Sequence, residues 1–215
     1  MKNLLLSFKI KKELKWFQEF KKDFKFEMKE VEEKEDGTLI CDGIVIREGK
    51  DGEWVGETDT FINVGYKFHG PMPKVLSNLF HYEFVFRGFK LNSAEGIFQG
   101  FKVKDKKAQR YLFRYYGLDS NNIKAASDFD WKGEGAVYFQ GKRIDRFSKE
   151  FDDFIDEMYV SLLQNPLYRN SLKNAGDKYI LHALGTKEKE KTVFTRYEFE
   201  YELNCLKAYV QKYYK

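Results

Sequence analysis

Gly96 and Gly100 stand four residues apart in the stretch Asn92-Ser93-Ala94-Glu95-Gly96-Ile97-Phe98-Gln99-Gly100-Phe101-Lys102, and they restrict the packing of this chain more than any other pair. A glycine inside a helix costs about 1 kcal/mol against alanine, so two in successive turns imply a backbone that something approaches closely. Asn92 and Ser93 are good helix-start residues, and Glu95 stands where it would close a capping box, which predicts a helix beginning here. On such a helix Glu95, Gln99 and Lys102 lie along one face, and Phe98 and Phe101 can face a core. Two readings are open. The polar stripe and the glycine groove can hold a carboxylate against a small ligand. Equally, Glu95 can be only a cap, and the glycines can seat a neighbouring helix.

A chain of 215 residues, 42% hydrophobic and 33% charged, is long enough to bury a sizeable core in one compact domain. With 21 Phe and 14 Tyr, rings will supply much of that core and of any pocket. A net charge of +4 is too small to identify a nucleic-acid protein, and it would not repel a phosphate-bearing ligand. Cys41 and Cys205 are the only cysteines and stand far apart, so no disulfide framework is expected and a reducing cytoplasm fits. Lys9, Lys11 and Lys12 interrupt the apolar start at Leu4-Leu5-Leu6. No run reaches the ~20 apolar residues of a membrane span, and no membrane partner is expected.

Two regions follow from the pattern. Residues 1–67 are rich in lysine and glutamate. Ile10, Leu14, Phe17 and Phe20 have helical spacing, and short strand-like runs at Thr38–Cys41, Ile44–Ile46 and Trp54–Val64 are divided by glycine turns. This predicts an N-terminal extension made of a short helix and a small antiparallel sheet. Pro71 and Pro73 mark the boundary. In residues 68–215, Ser148 can cap a helix carrying Phe151, Phe154, Ile155, Met158 and Leu162 on one face. Asn165-Pro166 opens another helix that Gly176 ends, and Thr195 with Glu198 forms a capping box for the last one. The expected class is α+β, with helices dominating the second region.

Several chemistries have no support. No Gly-x-Gly-x-x-Gly or phosphate-loop motif occurs, and His69, His81 and His182 lack any i,i+4 pair, so neither cofactor nor metal is expected. Asp130-Trp131 sets a carboxylate beside a large ring that either covers the core or stacks on a base. Lys142, Arg143 and Arg146 gather just before a helix start, where they either cradle a pyrophosphate or stay solvated.

Leu76-Ser77-Asn78-Leu79-Phe80, followed by Ser93-Ala94-Glu95 with Phe98-Gln99 and Lys102, resembles the NADAR (YbiA-like) superfamily. There a leucine-serine-asparagine-phenylalanine pattern precedes a helix with a serine, a glutamate, a glutamine and a lysine. Tyr138 to Lys142, Ile144-Asp145-Arg146, Asn165 to Arg169 and Thr192 to Leu206 resemble one branch of it, so the likeness covers about Phe68 to Lys207. His182 stands where many members carry a glutamate. The resemblance implies a helix-dominated NADAR-like domain over residues 68–215 and cleavage of an N-glycosidic bond in an ADP-ribose-like nucleotide, which guanine in a nucleic acid could carry. It implies Glu95 and Asp145 as catalytic carboxylates. Asn78, Gln99, Lys102, Trp131, Tyr138, Lys142, Arg146 and His182 would bind substrate. Two alternatives fall under the same resemblance: an N-glycosidase of reactive riboflavin-biosynthesis intermediates, or a sensor that binds ADP-ribose or NAD without cleaving it.

Overall fold

Four two-stranded or three-stranded ladders and seven helices make up the computed structural model, which describes residues 2–117 and 127–214, with side chains from residue 8 onward. Helix α1 (Lys2–Asp23) is followed by strands β1 (Val31–Glu33), β2 (Leu39–Cys41), β3 (Ile44–Arg47) and β4 (Phe61–Asn63). Then come α2 (Pro71–Val75), β5 (Phe84–Phe86), β6 (Phe89–Leu91), α3 (Ala94–Gly100) and α4 (Lys106–Leu112). The remainder is β7 (Ala136–Phe139), β8 (Lys142–Asp145), α5 (Lys149–Leu162), α6 (Pro166–Asn174), β9 (Tyr179–Leu181) and α7 (Arg196–Tyr213). The class is α+β, with small sheets among the helices.

Three hairpins share one turn chemistry. Asp42-Gly43, Arg87-Gly88 and Gln140-Gly141 each have both residues at positive φ, the two-residue geometry whose twist matches paired strands. They close β2 on β3, β5 on β6, and β7 on β8. The β5–β6 hairpin is an addition to the expected helices of the second region. Its ladder carries Phe84 and Phe86 into the core, where Phe86 meets Phe154 edge-on at 4.9 Å.

Helix starts follow the residue chemistry. The Ser148 side chain accepts the Phe151 amide, Asn165 accepts the Leu167 amide ahead of Pro166, and Thr195 with Glu198 closes a full capping box. The buried face of α5 carries Phe151, Phe154, Ile155, Met158 and Leu162. It forms the middle of the main core.

Residues on both sides of Pro71 share that core. Phe17 of α1 is fully buried and meets Tyr209 of α7 edge-on at 5.4 Å. Strand β4 runs parallel to β9, pairing Phe61 with Tyr179 and Asn63 with Leu181. Leu39, Cys41, Ile46, Phe61 and Leu181 form a second, smaller cluster under the three-stranded sheet. Both cysteines are buried and free. No helix among the described residues is long and apolar enough to cross a membrane.

A buried polar triad locks α1 onto the two long helices. Lys21 Nζ lies 2.5 Å from Asp156 on α5 and 2.6 Å from Glu202 on α7. Burial pushes the Glu202 carboxyl up to about 8, with the Asp156 charge adding to the shift and Lys21 opposing it. In the unfolded chain the same group ionises near 4.5, so the folded state keeps a proton that the unfolded state releases between about 4.5 and 8. Stability contributed by this group is therefore complete below that window and is lost as pH rises through it. Glu202→Gln, a close mimic of the protonated form, is expected to flatten the fall of Tm with pH across the window. Thermal unfolding of both proteins from pH 4.5 to 8 tests this, and parallel curves would contradict it.

Candidate active site

Helix α3 begins one residue later than a capping box from Asn92 would require. Ser93 is the N-cap: its Oγ accepts the Gly96 amide at 3.1 Å and donates to the Tyr115 carbonyl at 2.7 Å. Glu95 therefore falls at the second helical position and caps nothing. Its Oε1 instead accepts Gln99 Nε2 at 2.5 Å, and Gln99 Oε1 accepts Lys102 Nζ at 3.2 Å. The expected polar stripe forms. It lines a pocket of about 160 Å³ together with Asn78, Phe98, His182, Thr192, Val193, Phe194 and Phe199.

The glycines serve a different neighbour. A Cβ on Gly96 would stand 2.8 Å from the Leu112 carbonyl, and one on Gly100 would stand 2.9 Å from Cε1 of Phe113. Both positions seat the end of α4, not a ligand, which corrects the groove reading. Glu95 and Gln99 lie around the helix from them, facing the pocket.

Two polar groups converge on Glu95 from elsewhere in the fold. Tyr159 OH donates to Asn78 Oδ1 at 2.7 Å, so the amide NH2 of Asn78 is left for the pocket. The Asn78 carbonyl also accepts the Glu95 amide at 2.9 Å, which ties the two residues together. His182 Nδ1 lies 2.9 Å from the Val64 carbonyl, an acceptor only, so Nδ1 carries the hydrogen and Nε2 keeps its lone pair. Burial lowers the His182 pKa from its ordinary 6.5, which keeps the ring neutral. The pocket thus offers one carboxylate, an amide donor, a neutral nitrogen acceptor and an ammonium, beside the rings of Phe98 and Phe194, which stack on each other at 5.1 Å.

Its volume is below the roughly 300–1,000 Å³ usual for small-molecule sites, so it can take one ring while the rest of a larger ligand lies outside. Roomier cavities lie elsewhere, one of about 410 Å³ among them beside Trp54 and His69. One of about 880 Å³ lies between α1 and α7, lined by Trp16, Phe20, Phe24, Tyr209 and Tyr213. Another, of about 430 Å³, shares Phe194 as a wall and includes Asp152, Asp156 and Glu202. None of these three is lined by Glu95, Asn78 or His182.

The remaining sequence-derived residues are not brought to this pocket. Arg146 is 1% exposed and holds Glu198 in a two-pronged pair, Nη1 to Oε1 at 2.9 Å and Nη2 to Oε2 at 2.5 Å, with the Phe151 ring beneath it. Its charge is committed to the fold, so the pyrophosphate cradle loses that cation. Lys142 pairs with Glu150, and Asp145 is exposed, with Oδ1 accepting the Phe147 amide at 2.8 Å in a turn. Trp131 packs half-buried against the main core, and Tyr138 sits edge-on to Phe129 with Lys104 over its ring. Among the described residues no group of three or more His, Cys, Asp or Glu is placed to hold a metal ion.

Phe194 and Phe199 are the walls that sequence reasoning missed, and a signal for them exists. With Thr195 as N-cap they occupy the positions before the cap and four residues into the helix, the pair that forms a hydrophobic staple. Their rings stand 6.2 Å apart, edge to face.

The backbone contact at Gly96 sets a packing test. Alanine there would gain up to about 1 kcal/mol of helix propensity. Overpacking against the Leu112 carbonyl, which cannot yield as a side chain can, costs about 1–3 kcal/mol. Gly96→Ala is expected to lower stability in denaturant unfolding, and a more stable variant would refute the contact.

The family described as bacteriophage protein GP30.3 has a model that matches residues 72–208. An uncharacterized 17.1 kDa protein in the Gp30–rIII intergenic region of Enterobacteria phage T4 is 28% identical over 134 residues, covering 61% of this chain and 88% of that protein. Among solved structures, the NMR structure of YbiA from E. coli is similar with a TM-score of 0.44 at 14% identity, over 78% of this chain and 90% of that one.

Proposed function

The chain belongs to the bacteriophage protein GP30.3 family, and we propose that this member is an N-glycosidase acting on an ADP-ribose-containing substrate, for example removing ADP-ribose from a guanine base. The observation that carries the reading is Glu95, a half-buried carboxylate oriented by Gln99 on the wall of a pocket sized for one ring. The motif resemblance around Asn78, Glu95, Gln99 and Lys102 supports it.

Hydrolysis breaks the bond between ribose C1′ and the base nitrogen. The bond's electron pair leaves with the nitrogen, which takes up a proton from solvent, while positive charge develops on the sugar ring. A fixed carboxylate opposite that charge lowers the barrier. Glu95 Oε1 is held by Gln99, and Oε2 has no partner among the described residues, so it can receive the proton of the water whose oxygen bonds to C1′. The Asn78 amide and His182 Nε2 supply a donor and an acceptor for ribose hydroxyls. Lys102 meets a phosphate outside the pocket.

Loss of one preorganised electrostatic group costs ~100- to 1,000-fold in rate. Glu95→Gln is expected to reduce release of free ADP-ribose from ADP-ribosylated guanosine, read by chromatography, by at least this factor with unchanged unfolding. Full activity in the variant would remove Glu95 from the role. The pH dependence adds a second test. His182 accepts a hydrogen bond only while neutral, and its pKa is lowered, so substrate affinity is expected to hold through pH 6.5 and to weaken only below it. A KM that rises already above pH 6.5, and does so equally in His182→Gln, would exclude the imidazole as its source.

One observation favours a second reading. Among the described residues that line the pocket Glu95 is the sole carboxylate, and His182 occupies the place of a glutamate found in many NADAR members. A sensor that binds ADP-ribose without cleaving it needs no second carboxylate. Unchanged ADP-ribosylated guanosine after incubation, with measurable binding of ADP-ribose, would decide for the sensor.

A further inference from the structure

The outer face of α4 is a basic stripe that the pocket does not use. Lys106, Arg110 and Arg114 recur at four-residue spacing, with Lys107 and Tyr111 beside them, and all five are exposed on one side of the helix and the turn that follows. Asp105 is the one acid between residues 105 and 116. Its Oδ1 accepts the Ala108 amide at 2.7 Å as the helix N-cap. The stripe is therefore uncompensated within its own segment.

Large rings stand among these cations. Tyr111 is 60% exposed and Tyr116 is 45% exposed. The Tyr116 ring stacks on the His81 imidazole at 4.2 Å and 18°, which holds it as a flat platform. Arg110 is oriented, with Nε donating to Gln140 Oε1 at 2.9 Å.

The end of the stripe is stitched to the candidate site. Asn92 Nδ2 donates to the Arg114 carbonyl at 2.7 Å, Ser93 Oγ donates to that of Tyr115 at 2.7 Å, and the Gly117 amide donates to that of Leu79 at 2.6 Å. These anchors lie within three residues of Glu95 and one of Asn78.

We propose that this face binds single-stranded nucleic acid, its cations following the backbone phosphates while Tyr111 and Tyr116 stack on unpaired bases. Spaced cations interleaved with exposed rings suit a single strand, whose bases have open faces, and not a duplex, whose bases are enclosed. An acidic protein surface would satisfy the cations and leave the rings idle. Binding is independent of the glycosidase reading, because an unmodified strand already presents phosphates and bases.

The test is fluorescence anisotropy of the full chain with a labelled, unmodified oligothymidylate across a salt series. If the four stripe cations each meet a phosphate, log Kd should rise with log salt at a slope of about 3, from ~0.7 per contact on a single strand. Lys107→Glu with Arg114→Glu should weaken binding by at least about tenfold and lower the slope by about 1.4. Tyr111→Ala should weaken it by about 5- to 150-fold with the slope unchanged. All three positions are exposed, so the variants are expected to fold, which unfolding curves check. Glu95→Gln should bind the strand as the unaltered chain does, so failure of the catalytic role and failure of this surface are read separately. The proposal is overturned if the chain does not bind at low salt. It is also overturned if Lys22→Glu on α1 weakens binding as much as the stripe variants do. A duplex bound as tightly as the single strand, with Tyr111→Ala silent, would overturn it as well.

Discussion

Ser93 Oγ accepts the Gly96 amide and donates to the Tyr115 carbonyl, so one hydroxyl both starts α3 and ties it to the segment after α4. The phase of the helix follows from that start. With Ser93 as cap, Glu95, Gln99 and Lys102 turn toward the pocket while Gly96 and Gly100 turn toward Phe113. A start one residue earlier would make Glu95 the third helical residue, where its carboxylate reaches back to the cap. The site therefore depends on a choice between two adjacent helix-start residues. Contact with α4, possible only against glycine, makes that choice rigid.

Helix α7 organises the other wall through alternate polar residues. Glu198 takes both prongs of Arg146, Glu202 takes Lys21 from α1, and Asn204 pairs with both the amide and the carbonyl of Ile180. Between them Glu200 accepts the His182 amide at 2.8 Å, Arg196 Nε at 2.6 Å and the Tyr179 hydroxyl at 2.6 Å. The Glu200 carboxylate thus positions the backbone that carries His182 to the pocket. Buried ion pairs add little net stability over apolar residues, but removing one partner is strongly destabilising. Here these groups join α1, β9 and α7 to one another.

Much of this was legible in the residues. Ser148, Asn165-Pro166 and Thr195 with Glu198 announce their helices through local capping chemistry, and the Glu95-Gln99-Lys102 stripe follows from helical spacing alone. The hairpin at Arg87-Gly88 was less visible, because a β turn with arginine at positive φ has no strong composition signal. Arg146 reads as a surface cation beside Lys142 and Arg143. Only the fold reveals that Glu198, 52 residues away, takes its charge. Trp131 and Tyr138 share the limitation: a ring suited to stacking on a base is equally suited to covering a core. Asn78 and His182 were identified from motif resemblance, but their orienting partners, Tyr159 and Val64, lie 81 and 118 residues away.

The pairing of β4 with β9 has a consequence for biosynthesis. Val64 follows β4 and His182 follows β9, so the bond between them closes a loop spanning most of the chain. Helix α3 and its carboxylate leave the ribosome long before the imidazole that faces them. During translation the nascent chain therefore carries an unfinished pocket, and maturation of the site waits on a long-range strand pairing that is intrinsically slow to form.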